Sequence, residues 1–184
     1  VADGTVEADS VELAVRKLSR MALHNPLFRR IGFDPRLVGI ATQILGPDVT
    51  LLQTMALMKP PHIGGRKVWH QDNYYFRLTP AEIFGFWIAC DDADVENGCM
   101  HVVPGSASSG LRPHGGEGDD RGLLEAPSPE TVVPVPLQSG DGMIFDSHVC
   151  HHTPNNTSQR RRRALQYHYA AARCRRVEDG VSSP

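Results

Sequence analysis

The apolar and polar positions follow a helical period in part of the first third of the chain and an extended one after it. The segment FDPRLVGIATQILGPD predicts a helix. Asp34 is a favourable N-cap, Pro35 suits the first helical position, and Gly46 followed by Pro47 ends the pattern. We therefore expect the first third of the chain to be partly helical.

From residue 49 onward the pattern predicts a series of short strands. Residues 49–59 (VTLLQTMALMK) form the first, which Pro60 and Pro61 close. Residues 68–76 (VWHQDNYYF) are predicted as a second strand, and residues 83–90 (IFGFWIAC) as a third that is apolar on both faces. Further extended segments are CMHVV, TVVPVPL, GMIF and RALQYHYAAA. Many short strands separated by turns are typical of an all-β barrel or jelly roll, here decorated by a helix.

Residues 106–129 interrupt this series. They are rich in Gly, Ser, Asp and Pro and show little periodicity. A loop of this length in a compact domain is usually a lid or a disordered insert, so we predict a lid.

Composition narrows the class of protein. The chain has 184 residues, 40% hydrophobic and 22% charged, with a formal net charge of −2, which fits one domain over residues 1–184. The charge gives no indication of nucleic-acid binding, and no apolar run approaches the ~20 residues of a membrane span. Four cysteines without a C-x-x-C pair favour free thiols in the cytoplasm. Because the chain starts at Val1, a targeting segment or an N-terminal part of the fold is expected to be missing.

The chemistry is concentrated in two stretches. His70 and Asp72 in WHQD lie two residues apart, so on a strand both side chains face the same side. Two histidines and one carboxylate suit non-haem Fe(II), but H-x-D alone is a weak signal because a strand with polar residues facing water looks the same. A third ligand is available from His148, His151 or His152. The arginine run at 160–163 has two interpretations. It is either a solvated basic patch, or it includes one arginine that faces inward and pairs with the carboxylate of a co-substrate.

Several segments, in order, resemble the phytanoyl-CoA dioxygenase family of Fe(II)/2-oxoglutarate oxygenases. They are TMALMKPP (54–61), WHQD (69–72), WIACDDADVENGCMHVVPGS (87–106), GLRPH (110–114), GDGMIF (140–145) and HHTPNNTSQRRRRAL (151–165). The resemblance implies a mainly β fold, a double-stranded β-helix of the cupin-like jelly-roll type with flanking helices.

The resemblance also implies roles for individual residues. His70, Asp72 and His151 match the metal ligands, and Arg162, eleven residues after His151 and two before an alanine, matches the arginine that binds 2-oxoglutarate. The pair His152 and Arg163 keeps the same spacing but fails the surrounding motif. The remaining matches to co-substrate contacts are Thr153, Trp87, Met55, Gln71 and Lys17, and His114 faces either the substrate or water.

The expected activity is a 2-oxoglutarate-dependent dioxygenase that uses Fe(II) and O2 to hydroxylate an unactivated C–H bond of a small-molecule metabolite. Asp72 argues against the related halogenases, which have alanine or glycine at this position. Desaturation, epimerisation or cyclisation at the same centre stays open, as does a cupin-type barrel that binds a metal or ligand without turnover. The resemblance does not define the substrate, and no residue pattern predicts an oligomeric state.

Overall fold

The computed structural model describes residues 11–118 and 121–177. The helices are α1 (Val11–Ala14), α2 (Met21–His24), α3 (Pro26–Gly32), α4 (Pro35–Leu45) and α5 (Asn73–Phe76). The strands are β1 (Lys17–Ser19), β2 (Val49–Lys59), β3 (Lys67–His70), β4 (Leu78–Thr79), β5 (Ile83–Ala89), β6 (Met100–Val102), β7 (His114–Gly115), β8 (Gly122–Leu123), β9 (Val133–Val135), β10 (Gly142–Asp146), β11 (His151–Thr153), β12 (Arg162–Ala171) and β13 (Arg175–Arg176).

Two antiparallel sheets form the body of the fold. The larger has the strand order β1-β2-β12-β5-β10, and the smaller has the order β3-β11-β6-β9. Neighbours in each sheet are distant in sequence, as in a jelly roll, where the chain crosses repeatedly between two sheets. The predicted mainly β, double-stranded β-helix fold with flanking helices is therefore confirmed.

Alternation along the central strands gives the larger sheet two buried faces. On β5, Phe84 and Phe86 join one apolar cluster, whereas Trp87 and Ala89 join another. The first cluster packs against α4, which contributes Ala41 and Leu45. The second lies between the sheets. The strand predicted over residues 83–90 is thus found at Ile83–Ala89, one residue shorter, and it is apolar on both faces as predicted.

Helix α4 begins and ends as its sequence predicts. The Asp34 side chain accepts a hydrogen bond from the Arg36 backbone N–H, and Pro35 occupies the first turn. Gly46 follows the last turn with φ of 93°, a conformation that glycine adopts readily. At 11 residues α4 is the longest helix in the described part of the chain, and none there could cross a membrane.

One predicted strand is wrong in its second half. Strand β3 ends at His70, and Asp72, with φ of −63° and ψ of −36°, is the N-cap of the helical turn α5. The backbone N–H groups of Tyr75 and Phe76 both donate to the Asp72 carbonyl, and the Asn73 N–H donates to the Ser147 carbonyl. These bonds satisfy the backbone groups that a longer strand would have left without a ladder partner. His70 and Asp72 therefore do not share a strand face. The α5 turn, and not strand alternation, brings their side chains together.

The segment 106–129 contains regular structure instead of a featureless loop. A 3₁₀ turn covers Ser106–Ser109, and β7 pairs with β8 in a short hairpin. Gly122 on β8 lies so close to β3 that an added Cβ would approach the Trp69 carbonyl and the Val68 side chain. Glycine at this position allows the hairpin to lie directly against the smaller sheet.

Candidate metal centre

Three possible metal ligands meet where β3 and β11 run side by side. His70 ends β3 and is paired in register with His151, which begins β11. The α5 turn carries the Asp72 carboxylate to the same point. Asp72 Oδ1 lies 3.5 Å from His70 Nε2 and 3.8 Å from His151 Nε2. All three side chains are buried, and their candidate ligand atoms lie within 4.8 Å of one another.

Hydrogen bonds orient both imidazoles in the same way. His70 Nδ1 donates to the Val68 carbonyl at 2.8 Å, and His151 Nδ1 donates to the Val149 carbonyl at 2.9 Å. With Nδ1 protonated, each Nε2 presents a lone pair to Asp72 Oδ1. Two lone pairs and a carboxylate repel one another unless a cation lies between them. These residues therefore fit a divalent metal ion, for which neutral imidazole and carboxylate are suitable ligands.

Burial sets the protonation of this cluster. Burial and the neighbouring charge of His70 lower the pKa of His151 to about 4, so His151 is neutral near pH 7. Burial alone would raise the pKa of Asp72. The histidines that surround its carboxylate, His168, His151 and His70, outweigh it and hold that pKa well below its usual value. Asp72 is therefore a carboxylate, the form that ligates metals.

A cavity of about 450 Å³ opens beside the cluster, and Arg162 reaches into it from β12. The Arg162 side chain is 2% exposed and its Cζ lies 5.2 Å from the centre of the Trp87 ring. Its Nε and Nη1 have no hydrogen-bond partner among the described residues. Burial lowers the pKa of this guanidinium to about 10, so it still carries its charge. A buried cation with two unused donors is suited to an anionic ligand.

The rival residues of the sequence analysis lie elsewhere. His152 packs on the Trp69 ring at a centroid distance of 4.1 Å, outside the lining of the cavity. Arg163 points to the surface, where Nη2 lies 2.8 Å from Asp91 Oδ1. His148 is not among the residues that line the cavity, and its Nε2 lies 3.3 Å from the Asn73 side-chain amide. Because alternate residues of a strand face opposite sides, His152 faces away from His151, and Arg163 faces away from Arg162.

Four of the other predicted contacts lie on the cavity wall, namely Thr153, Trp87, Met55 and Lys17. Gln71 is placed differently. It is fully buried outside the lining, where its amide donates to the carbonyls of Gly110 and His148 and accepts from the Arg112 N–H. Its amide is therefore occupied by hydrogen bonds to other segments of the chain. This placement does not support the predicted contact of Gln71 with the co-substrate.

His114 is also engaged within the protein. Its ring stacks on Tyr74 at a centroid distance of 4.1 Å, and its Nε2 accepts a hydrogen bond from the Gln71 backbone N–H at 3.1 Å. Its Nδ1 lies 2.7 Å from the Arg112 carbonyl. His114 thus attaches the β7–β8 hairpin to the segment between the two candidate ligands.

Several residues near the site were missed in the sequence, among them Lys59, Gln166 and His168. Lys59 and Gln166 line the cavity, and His168 contacts Asp72 from behind it. Strand alternation was the available signal, because Lys59 shares its side of β2 with Met55, and Gln166 and His168 share their side of β12 with Arg162. Lys59 Nζ donates to the carbonyls of Gly65 and Pro154 at 2.5 and 2.6 Å. Burial and the charges of Arg162 and Arg16 lower the pKa of Lys59 to about 6.

Two histidines, one carboxylate and a buried arginine meet in this jelly roll. The chain is therefore a jelly-roll protein with a candidate site for a single metal ion. The family model described as phytanoyl-CoA dioxygenase (PhyH) matches residues 4–164. The chain belongs to this family, as its motifs predict.

Individual relatives agree with this membership. The chain is 31% identical over 163 residues to phytanoyl-CoA dioxygenase 1 of Oryza sativa subsp. japonica, which covers 85% of this chain and 58% of that protein. It is 29% identical over 179 residues to phytanoyl-CoA dioxygenase domain-containing protein 1 of Rattus norvegicus, covering 88% and 59%. The chain thus spans less than two thirds of the length of these relatives.

Solved structures show the same fold. The apo form of the non-heme monooxygenase ThoJ superposes with a TM-score of 0.79 at 22% identity, over 94% of this chain and 65% of that one. The non-heme alpha ketoglutarate dependent epimerase SnoN, from nogalamycin biosynthesis, superposes with a TM-score of 0.74 at 25% identity, over 90% and 66%.

Proposed function

We propose that the chain is the core of an Fe(II)- and 2-oxoglutarate-dependent dioxygenase that hydroxylates an unactivated C–H bond of a small molecule. The observation that carries this proposal is one cavity bordered both by the His70, Asp72 and His151 cluster and by Arg162. A metal-binding barrel without turnover accounts for the cluster, but it gives no reason to keep a buried guanidinium with two unpartnered nitrogens.

His70, Asp72 and His151 would hold the iron, and Arg162 would bind the distal carboxylate of 2-oxoglutarate. When bound, iron, 2-oxoglutarate and O2 together supply the oxidant for the C–H bond, and 2-oxoglutarate leaves as succinate and CO2. The protein contributes position and environment. The guanidinium fork holds a carboxylate in one orientation, and Thr153 on the same wall offers a hydroxyl to it.

Apolar side chains form one part of the cavity lining, beside charged and polar ones. Trp87 and Met100 are buried, and the other apolar residues of the lining include Met55, Leu57, Met58 and Phe76. A volume of about 450 Å³ lies in the range of small-molecule pockets, which agrees with a metabolite as substrate. The β7–β8 hairpin is our candidate for a lid, since Gly118 and Arg121 border the cavity between its strands.

An anaerobic titration with Fe(II) and then 2-oxoglutarate tests the proposal without a known substrate. We expect a visible charge-transfer band on addition of 2-oxoglutarate, and its loss in Arg162→Met. In air, succinate formation coupled to O2 uptake separates an oxygenase from a binding module. A folded protein that binds Fe(II) but shows neither signal would contradict the proposal.

Epimerisation at the same centre is the second candidate, because the epimerase SnoN shares the fold at 25% identity. Product analysis separates the two reactions. A hydroxylase adds one oxygen atom from O2 to its product, whereas an epimerase returns a product of unchanged mass.

A further inference from the structure

His168 is a buried ionisable side chain that the proposed function does not use. It lies on β12 six residues after Arg162, on the same face of the strand, and is 1% exposed. Its Nε2 lies 2.8 Å from Asp72 Oδ2. The other carboxylate oxygen, Oδ1, faces His70 and His151. His168 therefore contacts Asp72 from the side opposite the candidate metal position.

The surroundings of the ring decide which nitrogen carries the proton. Nδ1 of His168 is buried and has no hydrogen-bond partner among the residues that the structure describes. A proton on Nδ1 would leave a buried donor unsatisfied and would turn the Nε2 lone pair against a carboxylate oxygen. A proton on Nε2 avoids both costs. His168 thus donates from Nε2 to Asp72 Oδ2.

Packing holds the ring in this orientation. Phe76 meets it edge-on at a centroid distance of 4.9 Å. Gly85 on β5 supplies the space on another side, because a Cβ there would come within 3.1 Å of the ring atoms Cδ2 and Nε2. The Gln166 side-chain amide nitrogen lies 2.9 Å from the same Nε2. Two donors would meet there, so the amide is assigned with its oxygen toward the ring, where it accepts from the shared N–H.

We propose that His168 is a positioning residue that makes Asp72 a one-oxygen ligand. Its N–H occupies Oδ2, so only Oδ1 is directed to the metal. A carboxylate without such a partner can bind a cation through both oxygens, which uses up a further coordination position. Holding Oδ2 away keeps that position for the co-substrate. This inference rests on the metal centre of the proposed function.

The test uses Co(II) as the probe, since its visible absorption reports coordination geometry without turnover. The whole chain is titrated as wild type, His168→Leu and His168→Gln, with Tyr169→Phe as control. Tyr169 is the next residue of β12, and its hydroxyl donates to the Gly32 carbonyl on the helical side of the sheet. The control removes a buried hydrogen bond from the same strand without touching the site. Thermal unfolding of each apoprotein measures stability separately.

We expect His168→Leu to bind Co(II) about 10- to 100-fold more weakly than wild type, the usual effect of losing a partner of a metal ligand, with an altered spectrum. His168→Gln keeps an N–H donor and should recover most of the affinity, whereas Tyr169→Phe should leave it unchanged. Wild-type affinity and spectrum in His168→Leu would overturn the inference, as would equal losses in the Leu and Gln variants. If the wild type itself bound no Co(II), the proposed metal centre would be refuted instead.

A second pair of variants decides the matter if His168→Leu does not fold. Gly85→Ala places a methyl group 3.1 Å from the His168 ring and 3.2 Å from Phe145 Cζ, so the ring must shift slightly while His168 stays in the sequence. Gly142→Ala on β10 adds the same methyl group, but its nearest neighbours are at 3.5 and 3.7 Å, an ordinary contact. Weaker Co(II) binding in Gly85→Ala than in Gly142→Ala supports the positioning role, and equal binding contradicts it.

Discussion

Replacing Arg162 by methionine is expected to stabilise the ligand-free protein and to abolish its response to 2-oxoglutarate. The side chain is 2% exposed, and two of its nitrogens have no partner among the described residues. Burial lowers its pKa from the ordinary value of an arginine to about 10, which corresponds to roughly 3 kcal/mol of unfavourable free energy for the charged form. Methionine keeps much of the apolar stem and removes the charge.

The expected net gain is smaller than that figure, because Arg162 also interacts with the Trp87 ring. A partly desolvated cation–π contact contributes up to about 2 kcal/mol. We therefore expect the free energy of unfolding of the apoprotein to rise by about 1–3 kcal/mol, in the range found when buried charges are replaced by apolar residues. Urea denaturation measures this change.

The same assay with metal and 2-oxoglutarate provides the second half of the test. At a 2-oxoglutarate concentration about 100 times its Kd, the wild type should gain about 2.7 kcal/mol. Arg162→Met should gain nothing from 2-oxoglutarate under these conditions, because the carboxylate has lost its bidentate partner.

Arg163→Met is the matched control. Arg163 is the next residue, but its side chain is 44% exposed and pairs with Asp91 at the surface. Loss of such a pair changes stability by about 0–1 kcal/mol, and the response to 2-oxoglutarate should persist. The reasoning is refuted if Arg162→Met destabilises the apoprotein by more than about 2 kcal/mol and still responds to 2-oxoglutarate. A lost response in Arg163→Met alone would instead assign the role to the other arginine.

Three further predictions concern the same region. Asp72→Ala should remove Fe(II) binding and turnover in a folded protein, and metal titration that still showed wild-type affinity would refute the ligand assignment. In the folded protein, burial and the Arg162 charge lower the pKa of Lys59 from 10.5 to about 6. Between these two pH values Lys59 is therefore protonated only in the unfolded protein. Stability should therefore rise with pH in that window by up to about 1.4 kcal/mol per pH unit, and Lys59→Met should flatten the slope in urea denaturation; equal slopes would contradict this. Asn156 is fully buried and its amide nitrogen lies within hydrogen-bond distance of three backbone carbonyls, so Asn156→Ala should lower the free energy of unfolding by about 2–4 kcal/mol, against about 0.5 for the exposed Asn155→Ala. Similar losses in the two variants would show that these bonds contribute little.

The sequence by itself determined the elements whose signals are local. Strand β2 occupies Val49–Lys59 as predicted, because two prolines cannot continue a ladder. Helix α4 follows Asp34 and ends before Gly46 for equally local reasons of capping and backbone freedom. The order of motifs also sufficed to identify the family.

Only the tertiary structure decided how the site is assembled. Asp72 leaves the strand because a helical turn forms there, and the Asn73 N–H donates to the carbonyl of Ser147, far along the chain. His168 meets Asp72 across 96 residues of sequence, so no local pattern connects them. Four consecutive arginines are equivalent as a sequence. Pairing of β12 with β2 and β5 sends Arg162 inward and Arg163 to the surface, since alternate residues of a strand face opposite sides and the register chooses which.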